Sequence, residues 1–143
     1  MIQTQLSIFL ENKKGRLHEV CSLFASQGIN IRALTVAETE SFGVLRVLVK
    51  DPHHAATVLK DHGLIVHETE VVAVEVDDKP GGLAKVLGSI AKHHINVEYM
   101  YGFVEPSSKK AVMVFRFDNS MKAAEALKSD GIRVMGKKDL GDI

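Results

Sequence analysis

Residues 13–30, KKGRLHEVCSLFASQGIN, return at 79–96 as KPGGLAKVLGSIAKHHIN, a shift of 66 that preserves seven of eighteen positions. The preserved pairs are Lys13/Lys79, Gly15/Gly81, Leu17/Leu83, Val20/Val86, Ala25/Ala91, Ile29/Ile95 and Asn30/Asn96. A second stretch recurs at a shift of 68 through Val44/Val112, Ala55/Ala123, Ala56/Ala124, Leu59/Leu127, Lys60/Lys128, Gly63/Gly131 and Val66/Val134. A period of about 70 residues is too long for a solenoid unit and suits a small domain that closes its own core. The sequence therefore predicts two domains, 1–70 and 71–143. Each is small, so packing of domain on domain or chain on chain is expected to add stability.

One copy is enough to read the element order. Gln5-Leu6-Ser7-Ile8-Phe9-Leu10 alternates like a strand with two differently packed faces and ends in the polar loop Glu11–Gly15. Leu17, Val20, Cys21 and Phe24 follow at helical spacing, which places Cys21 on a buried stripe as a small core hydrophobe. Gly28 stops that helix, and a second strand runs through Val36 to a polar turn, Glu38-Thr39-Glu40-Ser41. The β-branched run from Val44 to Val49 makes a third strand. Asp51-Pro52 then caps and opens a second helix, closed by Gly63 before a fourth strand. The order is βαββαβ.

The second copy repeats that order from Val72 to Val134, with two extra residues near Pro106-Ser107-Ser108. No Pro/Gly/Ser linker separates the copies, because residues 66–72 run from one extended segment straight into the next. The fold class is α+β: two ferredoxin-like βαββαβ domains in tandem, each an antiparallel sheet with helices on one face.

Composition removes several classes of function. Eighteen basic and eighteen acidic residues cancel, so the basic footprint of a nucleic-acid binder is missing. Phe42, Phe115 and Phe117 are the aromatics a strand surface offers to RNA, and they lack a basic surround. No apolar run approaches membrane-spanning length and no signal peptide opens the chain. One cysteine excludes a disulfide framework and fits a reducing cytoplasm. The seven histidines show no metal-ligand spacing, and neither repeat supplies a convergent nucleophile and base. The expectation is a cytoplasmic, non-catalytic protein with no metal and no cofactor.

Chemistry is most plausible at the loop-to-helix turns. Gly15 and Gly81 let the backbone pass close to a ligand, and the helix beyond directs free N–H groups and its positive dipole end outward. A carboxylate suits that position, and Asn12 or Asp78 would accept from an ammonium group. The alternative is structural: each glycine permits a tight turn and each Asn or Asp caps it.

Asn12-Lys13-Lys14-Gly15-Arg16-Leu17 and Asp78-Lys79-Pro80-Gly81-Gly82-Leu83, each followed by Ile-Asn-Ile or Ile-Asn-Val at 29–31 and 95–97, resemble the ACT domain, a regulatory amino-acid-binding module. The resemblance covers nearly the whole chain twice and is similar to stand-alone tandem ACT proteins without a catalytic domain. It implies that an amino acid binds between modules, contacted by the strand-to-helix loop of one and the Asn-bearing turn of its neighbour, through Asn12, Gly15, Leu17 and Asn30 in the first copy and Asp78, Gly81, Leu83 and Asn96 in the second. It also implies a homodimer and a partner enzyme of amino-acid metabolism. Lys14 stands where the family often has Pro, Asp78 replaces the commoner Asn, and Leu10 and Val76 stand where serine-binding members place His. Serine is therefore not the expected ligand. A protein-assembly module, or a regulatory subunit without its own ligand, is the competing expectation.

Overall fold

The computed structural model describes residues 2–38, 42–104 and 108–141. The polar turn at 39–41 and the insertion around Pro106 and Ser107 lie outside them. The elements are β1 (Ile2–Glu11), α1 (Arg16–Ser26), β2 (Ile31–Glu38), β3 (Phe42–Val49), α2 (Pro52–Asp61), β4 (Ile65–Asp77), α3 (Gly82–Lys92), β5 (Val97–Val104), β6 (Lys110–Phe117), α4 (Ser120–Ser129), β7 (Val134–Met135) and α5 (Lys137–Gly141). The βαββαβ order thus occurs twice, with antiparallel strands, as the repeat demands. Two extended segments expected around residues 64–72 form one strand of thirteen residues, β4.

The chain divides into two compact units, Thr4–Thr69 and Met1–Gln3 with Glu70–Ile143. In the first, the strands lie in the order β2-β3-β1, with Leu6 opposite Val47 and Leu34 opposite Val47 on the other side. Leu6, Ile8 and Leu10 of β1 and Leu45, Val47 and Val49 of β3 point to one face. Val20 and Phe24 of α1 and Ala55, Ala56 and Leu59 of α2 cover them. Alternation at period two and burial at helical spacing meet in one core.

Cys21 is exposed, against expectation. Among the helix positions, Val20, Leu23 and Phe24 face the sheet, which rotates Leu17 and Cys21 off the buried stripe. The buried stripe is centred on Val20, Leu23 and Phe24, and at about 100° per residue Cys21 lies about a quarter-turn from it.

The second unit lays its strands in the order β5-β6-β4-β7. Val72, Val74 and Val76 of β4 pack with Phe115 and Phe117 of β6 under α3 and α4. The two phenyl rings stack with centroids 5.1 Å apart and are fully buried. They belong to the core and are not an RNA-facing surface. The opposite face of this sheet carries Ala73, Val112 and Met135, covered by Leu140 of α5 with Phe103 beside them. Helix α5 was not read in the sequence. Its signal is Gly136-x-x-Asp139, where the Asp139 carboxylate accepts from the Gly136 N–H at 2.8 Å, half of a capping box.

All four long helices end alike. At α1 the Gly28 N–H reaches the Ala25 carbonyl and the Ile29 N–H the Phe24 carbonyl, the Schellman pattern, with Gly28 at φ 67°. Gly63 and Gly131 play the same part after α2 and α4. After α3 the position falls to His94, at φ 56°, with the Ile95 N–H bonded to the Ile90 carbonyl at 3.2 Å. A side chain in this left-handed region is strained by about 1–2 kcal/mol. His94→Gly is expected to raise stability by about 1 kcal/mol, the relief being partly offset by the freer unfolded chain. The urea midpoint of the variant checks this; an unchanged or lower midpoint refutes it.

Candidate functional site

The two strand-to-helix loops have the same backbone. In each, an amide bonds back two residues, from Lys13 N–H to the Glu11 carbonyl and from Lys79 N–H to the Asp77 carbonyl, both at 2.9 Å. Each then closes a four-residue turn, Arg16 N–H to Lys13 carbonyl at 3.3 Å and Gly82 N–H to Lys79 carbonyl at 3.0 Å. Gly15 and Gly81 occupy the third turn position at φ 87° with ψ −7° and −11°. These are type II turn angles, which require φ above zero there and favour Pro just before, as at Pro80. A Cβ on either glycine would meet no heavy atom within 4 Å, so the requirement is conformational and the space above is open.

The capping alternative fails at both loops, because neither helix start carries a side-chain cap. The Gly15 carbonyl accepts from Glu19 N–H and the Gly81 carbonyl from Lys85 N–H. Among the described residues, the amides of Leu17 and His18 in α1, and of Leu83 and Ala84 in α3, take no partner. Each loop therefore presents two donors at the positive end of a helix of 11 residues.

Charge around the loops is locally balanced. Lys13 pairs with Glu11 at 2.7 Å, and Arg16 reaches Glu19 at 2.9 Å and Glu11 at 3.8 Å. The hydrogen bond and charge of Lys13 hold the Glu11 carboxyl below the usual carboxylate range. The matching acid in the second loop, Asp77, is held down by Lys110 of β6 in the same way. Asp78 takes no ion-pair partner among the described residues and stands exposed at the mouth of the second loop.

Of the eight residues expected at the site, the structure brings some together and separates others. Asn12, Gly15 and Leu17 share the first loop, exposed, and Asp78, Gly81 and Leu83 share the second. Asp78 and Leu83 line a cleft of about 580 Å³ whose other walls include Val76, Gly102, Ala111 and Met113. Asn30 and Asn96 are not there. They follow the far ends of α1 and α3, about 16 Å along an 11-residue helix from the glycines. Asn96 is pinned by Asp118, whose carboxylate accepts from the Asn96 N–H at 3.1 Å and whose N–H reaches the Asn96 carbonyl at 3.2 Å. Gly102, Val104, Ala111 and Met113 were not singled out in the sequence. A glycine within a strand pattern signals close backbone approach and is the clue that marks the cleft.

The histidines serve the scaffold. His53 pairs with Glu68 at 2.6 Å, the His67 ring meets Phe9 edge-on, and His93 reaches Asp130 at 3.2 Å. Asp130 also accepts from the buried Ser89 hydroxyl at 2.6 Å; this bond, with the neighbouring Lys92 and His93, holds its carboxyl below the ordinary range. No group of three His, Cys, Asp or Glu among the described residues is placed to hold a metal, and no helix is long and apolar enough to cross a membrane.

Comparison with known proteins bears on the whole chain. Residues 1–143 match the family model described as an ACT domain pair. The crystal structure of a Bacteroides thetaiotaomicron protein is 42% identical, covers 100% of this chain and 98% of its own, and superposes with a TM-score of 0.94. The ligand-free regulatory subunit of aspartate kinase from Thermus thermophilus shares the fold at 17% identity, with 91% of this chain and 92% of its own covered and a TM-score of 0.64. Among curated proteins, the acetolactate synthase small subunit of Buchnera aphidicola subsp. Baizongia pistaciae is 42% identical over 45 residues, which is 32% of this chain. That match spans only 28% of the curated relative's length.

Proposed function

The chain belongs to the ACT domain pair family, and from that premise we propose that it is a non-catalytic regulatory protein that binds an amino acid at its strand-to-helix loops and reports the binding to a partner enzyme. The observation that carries this reading is the duplicated loop: a left-handed glycine under open space, two amide donors without partners, and an Asn or Asp close by. Those groups match the carboxylate and ammonium of a zwitterion. The modules are 1–70 and 71–143, working in the cytoplasm as a homodimer. Asn30 and Asn96 stand a helix length from the glycines of their own copy. The partial match to an enzyme's small subunit supports an accessory role in amino-acid metabolism. Allostery follows only where the partner distinguishes liganded from free geometry.

Thermal melting of the full chain against each of the twenty amino acids tests the proposal. A ligand at a hundred times its Kd is expected to add about 2.7 kcal/mol of stability. Gly81→Val, which forbids the left-handed turn, is expected to abolish that shift while the helical circular dichroism persists. A panel without any shift refutes the amino-acid reading. It would favour the assembly alternative, for which Leu17, Leu34 and Val36, exposed at 44, 52 and 42%, provide an apolar docking edge in the first unit.

A further inference from the structure

The two copies share their loops but not what lies beside them. In the first, Val36 of β2 stands opposite Leu45; in the duplicated register of the second, Gly102 of β5 stands opposite Met113. Where the first copy has an isopropyl group, the second has no side chain and the Met113 thioether lies over the glycine instead; both residues line the cleft of about 580 Å³. Gly102 is not replaceable there by a larger residue without movement: a Cβ would overlap the Met113 sulfur and come within 2.8 Å of the Val112 carbonyl oxygen. We infer that this cleft makes the second copy the ligand-binding half and that it selects amino acids with a large apolar side chain, the Met113 thioether seated over Gly102 forming part of its wall. The inference rests on the amino-acid reading above and specifies which amino acids and which copy.

The lining decides the class of ligand. Val76, Leu83, Gly102, Val104, Ala111 and Met113 form the body of the cleft and offer no charged side chain. Asp78 and Lys79 also line it, in the loop that leads to the free α3 amides. Asp77, which also borders the cleft, is engaged by Lys110. A zwitterion with its ammonium toward Asp78 and its carboxylate toward Lys79 and the amides directs its side chain along the apolar wall. A leucyl, isoleucyl, methionyl or phenylalanyl group gains by burial there, whereas a hydroxyl, carboxylate or ammonium loses water and finds no partner. Met113 is unbranched and repacks around side chains of different shape, which suits a class of apolar ligands more than one member.

Isothermal titration of the full chain with single amino acids is the test. Leucine, isoleucine, methionine or phenylalanine is expected to bind at one site per chain, at least tenfold more tightly than serine, aspartate or lysine. Ala111→Phe fills the cleft and is expected to weaken binding at least tenfold. Val104→Glu, at an exposed strand end that accepts charge without harm to the fold, is expected to do the same by placing an acid on the apolar wall. Two equal sites per chain, tighter binding of a polar amino acid, or full affinity in both folded cleft variants would overturn this inference and leave the amino-acid reading standing. Silence across all twenty amino acids overturns both.

Discussion

Replacing Phe115 with alanine is expected to remove about 3–5 kcal/mol, the largest loss from any single substitution considered for this chain. Phe115 is fully buried, lies in the same core as Val72, Val74, Ile90 and Leu127, and stacks on Phe117 at 5.1 Å with planes 8° apart. Truncation removes the ring's transfer energy, leaves a void that valine-rich neighbours fill poorly, and forfeits about 0.5–1.5 kcal/mol of ring–ring attraction. Against a total stability of about 5–15 kcal/mol this is a large fraction. The chain carries its own reporter. It has no tryptophan, and its two tyrosines, Tyr99 and Tyr101, both lie in β5, beside the strand that bears Phe115. Tyrosine emission therefore follows the second unit, while far-ultraviolet circular dichroism follows both. In Phe115→Ala the tyrosine transition is expected to move to much lower urea than the last part of the dichroism transition. Coincident, unshifted curves would show that the void is repacked.

The second large effect is expected at Gly82, for a reason opposite to that at its neighbour. Gly81 needs its φ of 87°, and a Cβ there would point into open space. Gly82 has no positive φ, but a Cβ would overlap the Asp77 carbonyl oxygen and lie 3.0 Å from its carbon. Gly81→Ala is therefore a strain of about 1–2 kcal/mol that leaves the loop in place. Gly82→Ala forces the start of α3 away from the end of β4 and costs about 1–3 kcal/mol by overpacking against backbone that cannot rotate aside. The first copy has Arg16 at this position and a longer turn bond, 3.3 Å against 3.0 Å. Gly82→Ala is expected to lower the melting temperature and, by displacing the Leu83 and Ala84 amides, to weaken the amino-acid response. If the melting temperature and the response both survive, the close approach to Asp77 is not what seats the helix.

How much of this was legible in the sequence follows from where the physics is local. Helix ends were readable because Gly28, Gly63 and Gly131 each supply a left-handed residue, and Asp51 takes the His54 N–H as its cap, as its place before Pro52 predicts. The strand-helix glycines were readable as turns for the same reason. What failed depends on the third dimension. Cys21 fits the apolar spacing of α1 but faces outward, since the packing of α1 on its sheet centres the buried stripe on Val20, Leu23 and Phe24. Phe115 and Phe117 alternate like Phe42, yet two are enclosed by helices and the third is exposed, a difference of cover and not of pattern. Gly102 gave only a weak clue, because its effect needs the partner strand's register to place Met113 opposite and the Val112 carbonyl close by. The short α5 escaped because five residues carry no periodicity.

The Gln3 side chain is buried and donates to the Met135 carbonyl at 3.0 Å, so the opening residues of the chain complete the unit formed by its closing half. The boundary of the sequence repeat and the boundary between the compact units are therefore different places. A fragment starting at residue 71 would lack a buried amide donor that its own carbonyl expects, and one stopping at residue 70 would carry that donor with no acceptor. Cutting the chain at the repeat boundary would thus leave an unmatched polar group in each product.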